Sequence, residues 1–390
     1  MVCGGAELQT FREADLLREA GHEVLVLTLD ESEPELRTEH HVNIPYRQSN
    51  VRKTLCRVLP LRYLARKFER EIRAFDPDVI RANNVWKLGA AAFAAMQGYP
   101  VVQTVRDYLT VCIRGGVDPS GNPCDGYAAG HCQHTCCGNL VDFFELLSLR
   151  CYNYQRRRVV SQFIAPSRSL AELCTQNGLN TIAVANPFYA KLGNLESISE
   201  RNRNAFLYYG QVSRDKGVPN LLIAWKQFGQ RHGNASLRII GSIADDYRDE
   251  FTAMIREMPG VEYNDAMANS EILGLLPTVY CVIVPSIWME NYPNTVLESQ
   301  AVKTLVIGSD RGGIREMITE PSLRFDPRDP QCLVKVLEAA SALNDDEYGK
   351  IVEAGYQRVI TENGPETYRQ RIVAVIGEFR SPRGGVEAAA

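Results

Sequence analysis

The run Val279-Tyr-Cys-Val-Ile-Val284, continued by Pro285-Ser286-Ile287-Trp288-Met289-Glu290-Asn291-Tyr292-Pro293-Asn294-Thr295-Val296-Leu297-Glu298, decides the fold. A short, almost wholly apolar run closed by Pro-Ser reads as a parallel strand buried on both faces. The residues after it read as a helix start, with Asn291 as the cap and Pro293 near the first turn. Strand, polar loop and helix N-terminus make one unit of a doubly wound α/β sheet. Such sheets bind ligands beyond the carboxyl ends of their strands. Glu290 and Glu298 fall there, eight residues apart.

Working outward, the same alternation recurs. Ala205–Tyr209, Ser236–Ile240 and Thr304–Gly308 read as strands of the same sheet, with a helix from Val218. Upstream, Glu23–Leu29, Asp76–Ile80, Tyr99–Val105, Gln162–Ser167 and Thr181–Ala185 read as strands. Glu7–Ala20 reads as a helix, and so does the basic stretch Arg52–Phe75, with a break at Pro60. The polar stretch Asn194–Asn204 interrupts the rhythm. The sequence therefore predicts an α/β chain of two doubly wound, Rossmann-like domains facing a cleft, residues 1–190 and 200–364. A closing helix, 365–380, packs back on the first domain, and 381–390 form a disordered tail. The first domain opens directly on the loop Gly4-Gly5-Ala6-Glu7. The strand expected ahead of that loop is central in this topology, so the first-domain sheet is expected to be gapped or the reading frame to be shortened.

Composition narrows the function. The 390 residues carry 43 Lys+Arg against 47 Asp+Glu, a net charge of -4. That argues against a nucleic-acid binder, which shows basic excess. No apolar run approaches the roughly 18 residues of a membrane helix. Met1–Gly5 lacks a charged and apolar leader, which predicts a cytoplasmic protein.

Three loops after strand ends in the second domain are rich in glycine or charge. Tyr209-Gly210-Gln211-Val212-Ser213-Arg214-Asp215-Lys216-Gly217 offers a free turn at Gly210 and a point charge at Lys216. Gly308-Ser309-Asp310-Arg311-Gly312-Gly313 follows a third strand, and the Glu290 loop precedes a helix N-terminus suited to a diphosphate. Carboxylates accept well from vicinal hydroxyls, so Glu290 suits a sugar and Glu298 a ribose. The carboxylate pair alone reads better as a capped surface helix with two solvated glutamates, and the Lys216 loop alone also reads as a solvated strand-to-helix loop; together the loops point to one nucleotide-diphosphate site.

On these residues the sequence resembles glycosyltransferase family 4, the retaining nucleotide-sugar glycosyltransferases of the GT-B fold. The resemblance runs from Gly4-Gly5 to the closing helix. It implies that Glu290 and Glu298, as an E-x7-E motif, hold the donor sugar and the ribose, and that Lys216 neutralises the leaving diphosphate. It implies donor contacts from Gly4, Gly5, Gly210, Gln211 and Arg214 and from the backbone of Asn294, Thr295 and Val296. Gln211 stands where many members carry Arg. Arg106-Asp107 stands where many carry His-Asp, so Arg106 either enters catalysis by meeting a phosphate or anionic acceptor, or pairs structurally with Asp107.

The resemblance further implies a hexosyl transfer to a glycan or lipid-linked hydroxyl in surface polysaccharide synthesis, with retention and with no required cofactor. A second reading is a catalytically inactive homologue acting as a binding or scaffold subunit; a nucleotide-sugar epimerase is a third. Two segments stand apart. Cys112, Cys124, Cys132 and Cys136 are candidate ligands of a structural Zn²⁺, or else reduced cysteines in a Gly-rich loop. Residues 47–73 hold nine Lys/Arg against two acids, with leucines interleaved. They read as a solvated helix face, or as a contact with the inner membrane surface that makes the protein peripheral there.

Overall fold

The structure is a computed structural model that describes residues 5–29, 36–45, 62–83, 85, 89–114, 140–189 and 201–379. Gly4, Cys124, Cys132, Cys136, the first part of the basic segment and the tail after residue 379 lie outside the described residues. The first half runs α1 (Gly5–Glu19), β1 (Val26–Leu29), β2 (Leu36–Arg37), β3 (His41–Ile44), α2 (Arg62–Phe75), β4 (Ile80–Asn83) and α3 (Ala90–Ala95). It continues with β5 (Val101–Thr104), α4 (Leu140–Val159), β6 (Gln162–Ala165), α5 (Arg168–Gln176) and β7 (Thr181–Ala183). The second half runs β8 (Asn202–Tyr209), α6 (Val218–Arg231), β9 (Ser236–Ile240), α7 (Arg248–Arg256), β10 (Val261–Asn264), α8 (Asn269–Leu275) and β11 (Val279–Val284). Then come α9 (Asn294–Ala301), β12 (Leu305–Ser309), α10 (Gly312–Met317), β13 (Arg324–Phe325), α11 (Pro330–Ala342), α12 (Asp345–Glu362) and α13 (Pro365–Gly377).

The second sheet is parallel throughout, in the order β10-β9-β8-β11-β12-β13. The order reverses between β8 and β11, the topological switch point where such sheets bind ligands. All six residues of β11 are buried, because strands flank it on both edges and helices cover both faces. Phe206 on β8 meets Trp225 and Phe228 of α6 edge-on, at ring separations of 5.3 and 5.6 Å.

In the first half the strands fall into two sheets, β2-β3-β1 and β4-β5-β6-β7. The place that β8 occupies between its neighbours in the second sheet has its counterpart between β1 and β4. There a cavity of about 620 Å³ is lined by Leu25, Leu27 and Leu29 on one side and by Ile80, Ala82 and Asn83 on the other. Among the described residues, β1 pairs only with β3 and β4 only with β5. Their opposite edges border the cavity.

Some boundaries differ from the sequence reading. Asp76 does not begin a strand: it takes φ 47° as the left-handed residue that ends α2, and its N–H bonds to Ile72 O at 2.8 Å. The strand starts at Ile80, after Pro77. Helix α13 packs on α1, and Tyr368, Ile372 and Val375 join Leu17, Val102 and Ile164 in one core. At that contact Glu13 of α1 accepts from Arg81 Nε at 2.8 Å and Nη2 at 3.0 Å, and from the Tyr368 hydroxyl.

Candidate functional site

The site is built from two loops at the switch point. After β8 the chain turns through Gly210 (φ 140°) to Gly217 (φ 75°), which opens α6. Only glycine fits at 217, because a Cβ there would stand 1.9 Å from Pro285 O. That contact locks the loop against the one after β11. Asp215 O accepts the N–H groups of Ile287 and Trp288 at 2.9 and 2.8 Å.

The lock brings Lys216 and Glu290 together. Lys216 Nζ lies 2.6 Å from Glu290 Oε1, and Ser286 Oγ donates to the same oxygen at 2.9 Å. Both side chains are partly buried, at 29% and 18% exposure, so the pair is shielded yet reachable. The Glu290 backbone is held from behind, where Gly313 N–H donates to Glu290 O at 2.8 Å. A Cβ at Gly313 would meet Asn291 O at 1.8 Å, so the Gly-rich loop after β12 is a close-approach surface for the Glu290 loop.

Helix α9 begins at Asn294, two residues later than an Asn291 cap requires. Its N-cap is Pro293, which offers no capping side chain. The first amides, at Asn294, Thr295 and Val296, therefore form a helix N-terminus without a side-chain cap, suited to an anion. Asn291 instead spans the two halves. Its Nδ2 donates to Arg106 O at 3.0 Å, and its Oδ1 accepts from Ser167 Oγ at 2.7 Å.

Glu298 lies in the first turns of α9. It accepts from Tyr209 Oη at 3.0 Å and from Asn269 Nδ2 at 2.9 Å. Burial raises its pKa above the ordinary carboxylate value, against the lowering pull of those two bonds. Tyr209 and Asn269 carry no motif. Their signal is position only, one ending β8 and the other opening α8.

Arg106, after β5, reaches the same cleft from the first half. Its guanidinium donates to Asn83 Oδ1 and Asn186 Oδ1, each at 3.3 Å, so three strand ends converge on it. Its side-chain bonds run to those two amides, and Asp107 meets the backbone of Leu109 and Thr110. Arg214 stands apart from the Lys216–Glu290 pair: it bonds Asp246 and Glu250 and lies 5.0 Å from the Tyr247 ring. Gln211 presents its carbonyl to Tyr208 Oη at 2.6 Å. Gly5 is the first residue of α1. Cys112 is buried, and no group of His, Cys, Asp or Glu among the described residues could hold a metal ion.

Glu316 completes the junction between the halves. Its carboxylate accepts the N–H groups of Arg168 at 2.8 Å and Ser169 at 2.5 Å, capping α5 from across the cleft. Asn363 does the same work on the other side, donating to Asn186 O at 2.6 Å.

Two family descriptions match successive parts of the chain: Glycosyltransferase Family 4 over residues 3–187 and Glycosyl transferases group 1 over residues 196–358. A lipopolysaccharide 1,2-N-acetylglucosaminetransferase of Salmonella typhimurium is 27% identical over 179 residues, 42% of this chain and 46% of its own. An alpha-maltose-1-phosphate synthase of Mycobacterium tuberculosis is 29% identical over 175 residues, 41% of this chain and 44% of its own. The chain thus spans less than half the length of the curated relatives it matches. Anabaena HepE, solved in complex with UDP, shares the fold with a TM-score of 0.70 at 16% identity over 96% of both chains. A sucrose-phosphate synthase from Thermosynechococcus elongatus gives 0.66 at 15% identity, over 96% of this chain and 94% of its own.

Proposed function

The chain belongs to the family-4-like glycosyltransferases of the GT-B fold, and from this we propose that it moves a hexose-type sugar from a nucleoside diphosphate to a hydroxyl acceptor with retention. The observation that carries the reading is the Lys216–Glu290 pair at the switch point, with Glu298 held separately on α9. In this reading Glu298 accepts the ribose hydroxyls and Glu290 the sugar hydroxyls. Lys216 and the first amides of α9 take the charge that grows on the leaving diphosphate. Arg106 offers a second cation from the acceptor side of the cleft.

The reaction breaks the bond between C1 and the β-phosphate oxygen and forms a bond from C1 to the acceptor oxygen on the same face. The departing phosphate oxygen takes the acceptor proton, so no enzymic nucleophile is needed. A uridine nucleotide is the donor base we favour, since the solved relative HepE holds UDP. The Salmonella relative's name supports an acetylated hexosamine donor and a surface glycan or lipid-linked acceptor. Gln211 and Arg106 are what favour the scaffold reading; the Lys216–Glu290 pair and Glu298 speak against it.

Glu298→Ala tests the donor half. A hydrogen bond to a carboxylate contributes about 1.5–3 kcal/mol, so UDP affinity is expected to fall roughly 10- to 150-fold by calorimetry. Because burial raises the Glu298 pKa, wild-type affinity is also expected to fall on mild acidification, and more steeply than that of Glu298→Gln. Unchanged affinity in Glu298→Ala removes the ribose assignment.

A further inference from the structure

Glu290 belongs to the second half, yet the residues beside it are anchored in the first. Met289 packs against the first-half core that holds Val105, Tyr108 and Tyr152. Asn291 turns both ends of its amide to that half: Nδ2 donates to Arg106 O at 3.0 Å, and Oδ1 accepts from Ser167 Oγ at 2.7 Å. Tyr292 is tied to it through Asn363, whose Nδ2 donates to the Tyr292 hydroxyl at 2.9 Å and to Asn186 O at 2.6 Å. The other donor-side carboxylate differs. Glu298 is held by Tyr209 and Asn269, both of the second half.

The direction of the Asn291 amide follows from its partners. Arg106 O can only accept a hydrogen bond, so the NH₂ end must face it. Ser167 Oγ, the N-cap of α5, accepts from Leu170 N–H at 3.3 Å and gives its own proton to Asn291 Oδ1. An aspartate at 291 would set a second acceptor against Arg106 O. The Glu290 backbone is also braced from the first half. Gly312 lies between Glu290 O and the Tyr108 hydroxyl, and a Cβ on it would stand 2.5 and 3.2 Å from them. The Tyr108 hydroxyl in turn meets Ser169 Oγ of α5 at 3.2 Å. With the chain pinned on both sides, the Glu290 carboxylate is delivered to Lys216 Nζ and Ser286 Oγ.

We infer that Asn291 is the positioning residue of Glu290: through Arg106 O and Ser167 Oγ it sets the place of the donor-sugar carboxylate by the first half of the chain. The inference rests on the reading of Glu290 as the residue that meets the donor sugar. Cleavage of the donor then depends on the halves being joined at Asn291. Nucleotide binding does not, because Glu298 and the first amides of α9 are held within the second half.

One arm of the test needs no turnover. Hydrogen exchange of the full chain without ligand, read by mass spectrometry, is expected to quicken in Asn291→Ala across 286–293 and 311–314 and to stay unchanged across β8 and α6. In the second arm, calorimetry with UDP is expected to give Asn291→Ala the wild-type affinity within about twofold. Hydrolysis of UDP-glucose should fall on the order of 10²-fold, the loss that follows a misplacement of about 1 Å. Asn291→Asp, of nearly the same size, should lose as much. In a Glu290→Ala background Asn291→Ala should change the rate by less than about twofold, a non-additivity that a residue acting only on stability does not give. Melting curves check that every variant is folded. Unchanged exchange around Glu290 overturns the proposal, as does an Asn291 loss that persists in full without Glu290. Slow Glu290→Ala beside fast Asn291→Ala overturns this proposal alone. A Glu290→Ala chain that hydrolyses the donor at the wild-type rate overturns the sugar-binding reading itself, and the role of Asn291 with it.

Discussion

Glu290→Ala is expected to lower turnover by a factor on the order of 10²–10³, the loss seen when one preorganised electrostatic contact is removed from a transition state. Affinity for the nucleotide should change far less, because the sugar contacts matter most as the C1–oxygen bond breaks. Lys216→Ala should cost a similar factor. The double variant should cost little more than either alone, since the side chains form one 2.6 Å pair and removing one partner disables the other. Initial-rate assays of release of the donor nucleotide, with calorimetry for binding, separate these effects. A Glu290→Ala enzyme with wild-type turnover, or two losses that multiply fully, would break the assignment of this pair to the reacting centre.

The largest stability effect is expected at Glu13. Its carboxylate is buried and bonded twice by Arg81, with Tyr368 of α13 as a third donor. Glu13→Ala leaves the Arg81 guanidinium buried without its partner, which costs about 3–5 kcal/mol. Glu13→Leu/Arg81→Met removes both charges and should recover most of that loss. Burial alone would raise the Glu13 pKa; the Arg81 charge and the bonds from Arg81 and Tyr368 overcome it and hold the pKa below the usual carboxylate value. The pair therefore contributes stability above the unfolded carboxylate pKa, about 4.3. That stability is lost as pH falls through the lower folded value. Denaturant titrations of the variants across this range check both statements. A double variant no more stable than Glu13→Ala would show that packing, not the lone charge, sets the cost.

What the sequence revealed follows from how local each signal is. The β11 run and the loops after β8, β11 and β12 are contiguous signals, and the structure brings Lys216, Glu290 and Glu298 to one end of one sheet. Glu290 and Lys216 are 74 residues apart, and they meet because the Gly217–Pro285 contact leaves no room for a side chain. Asn291 reads as a cap in sequence because capping chemistry is local. Its partners, Ser167 and Arg106, are more than a hundred residues away and carry no local mark. Glu316 lies 148 residues from Arg168, whose amide it caps, and Tyr209 and Asn269 lie 89 and 29 residues from Glu298; none of these pairs carries a local mark either. Helix α4 escaped notice for a different reason: its apolar residues lie on two faces, which blurs the single stripe that marks an amphipathic helix. The short strands β2 and β3 hold two and four residues, too few for a period to show.

Retaining sugar transfer from a nucleoside diphosphate donor is the central proposal for this chain. Water can stand in for the unidentified acceptor, so donor hydrolysis followed by proton NMR tests it directly. UDP-glucose and UDP-N-acetylglucosamine, both α-linked, are incubated with the enzyme, and the first-formed free sugar is read before mutarotation. The α anomer is expected to appear first, together with UDP, and Glu290→Ala is expected to suppress both. A first-formed β anomer, or release of sugar that Glu290→Ala leaves untouched, would contradict it.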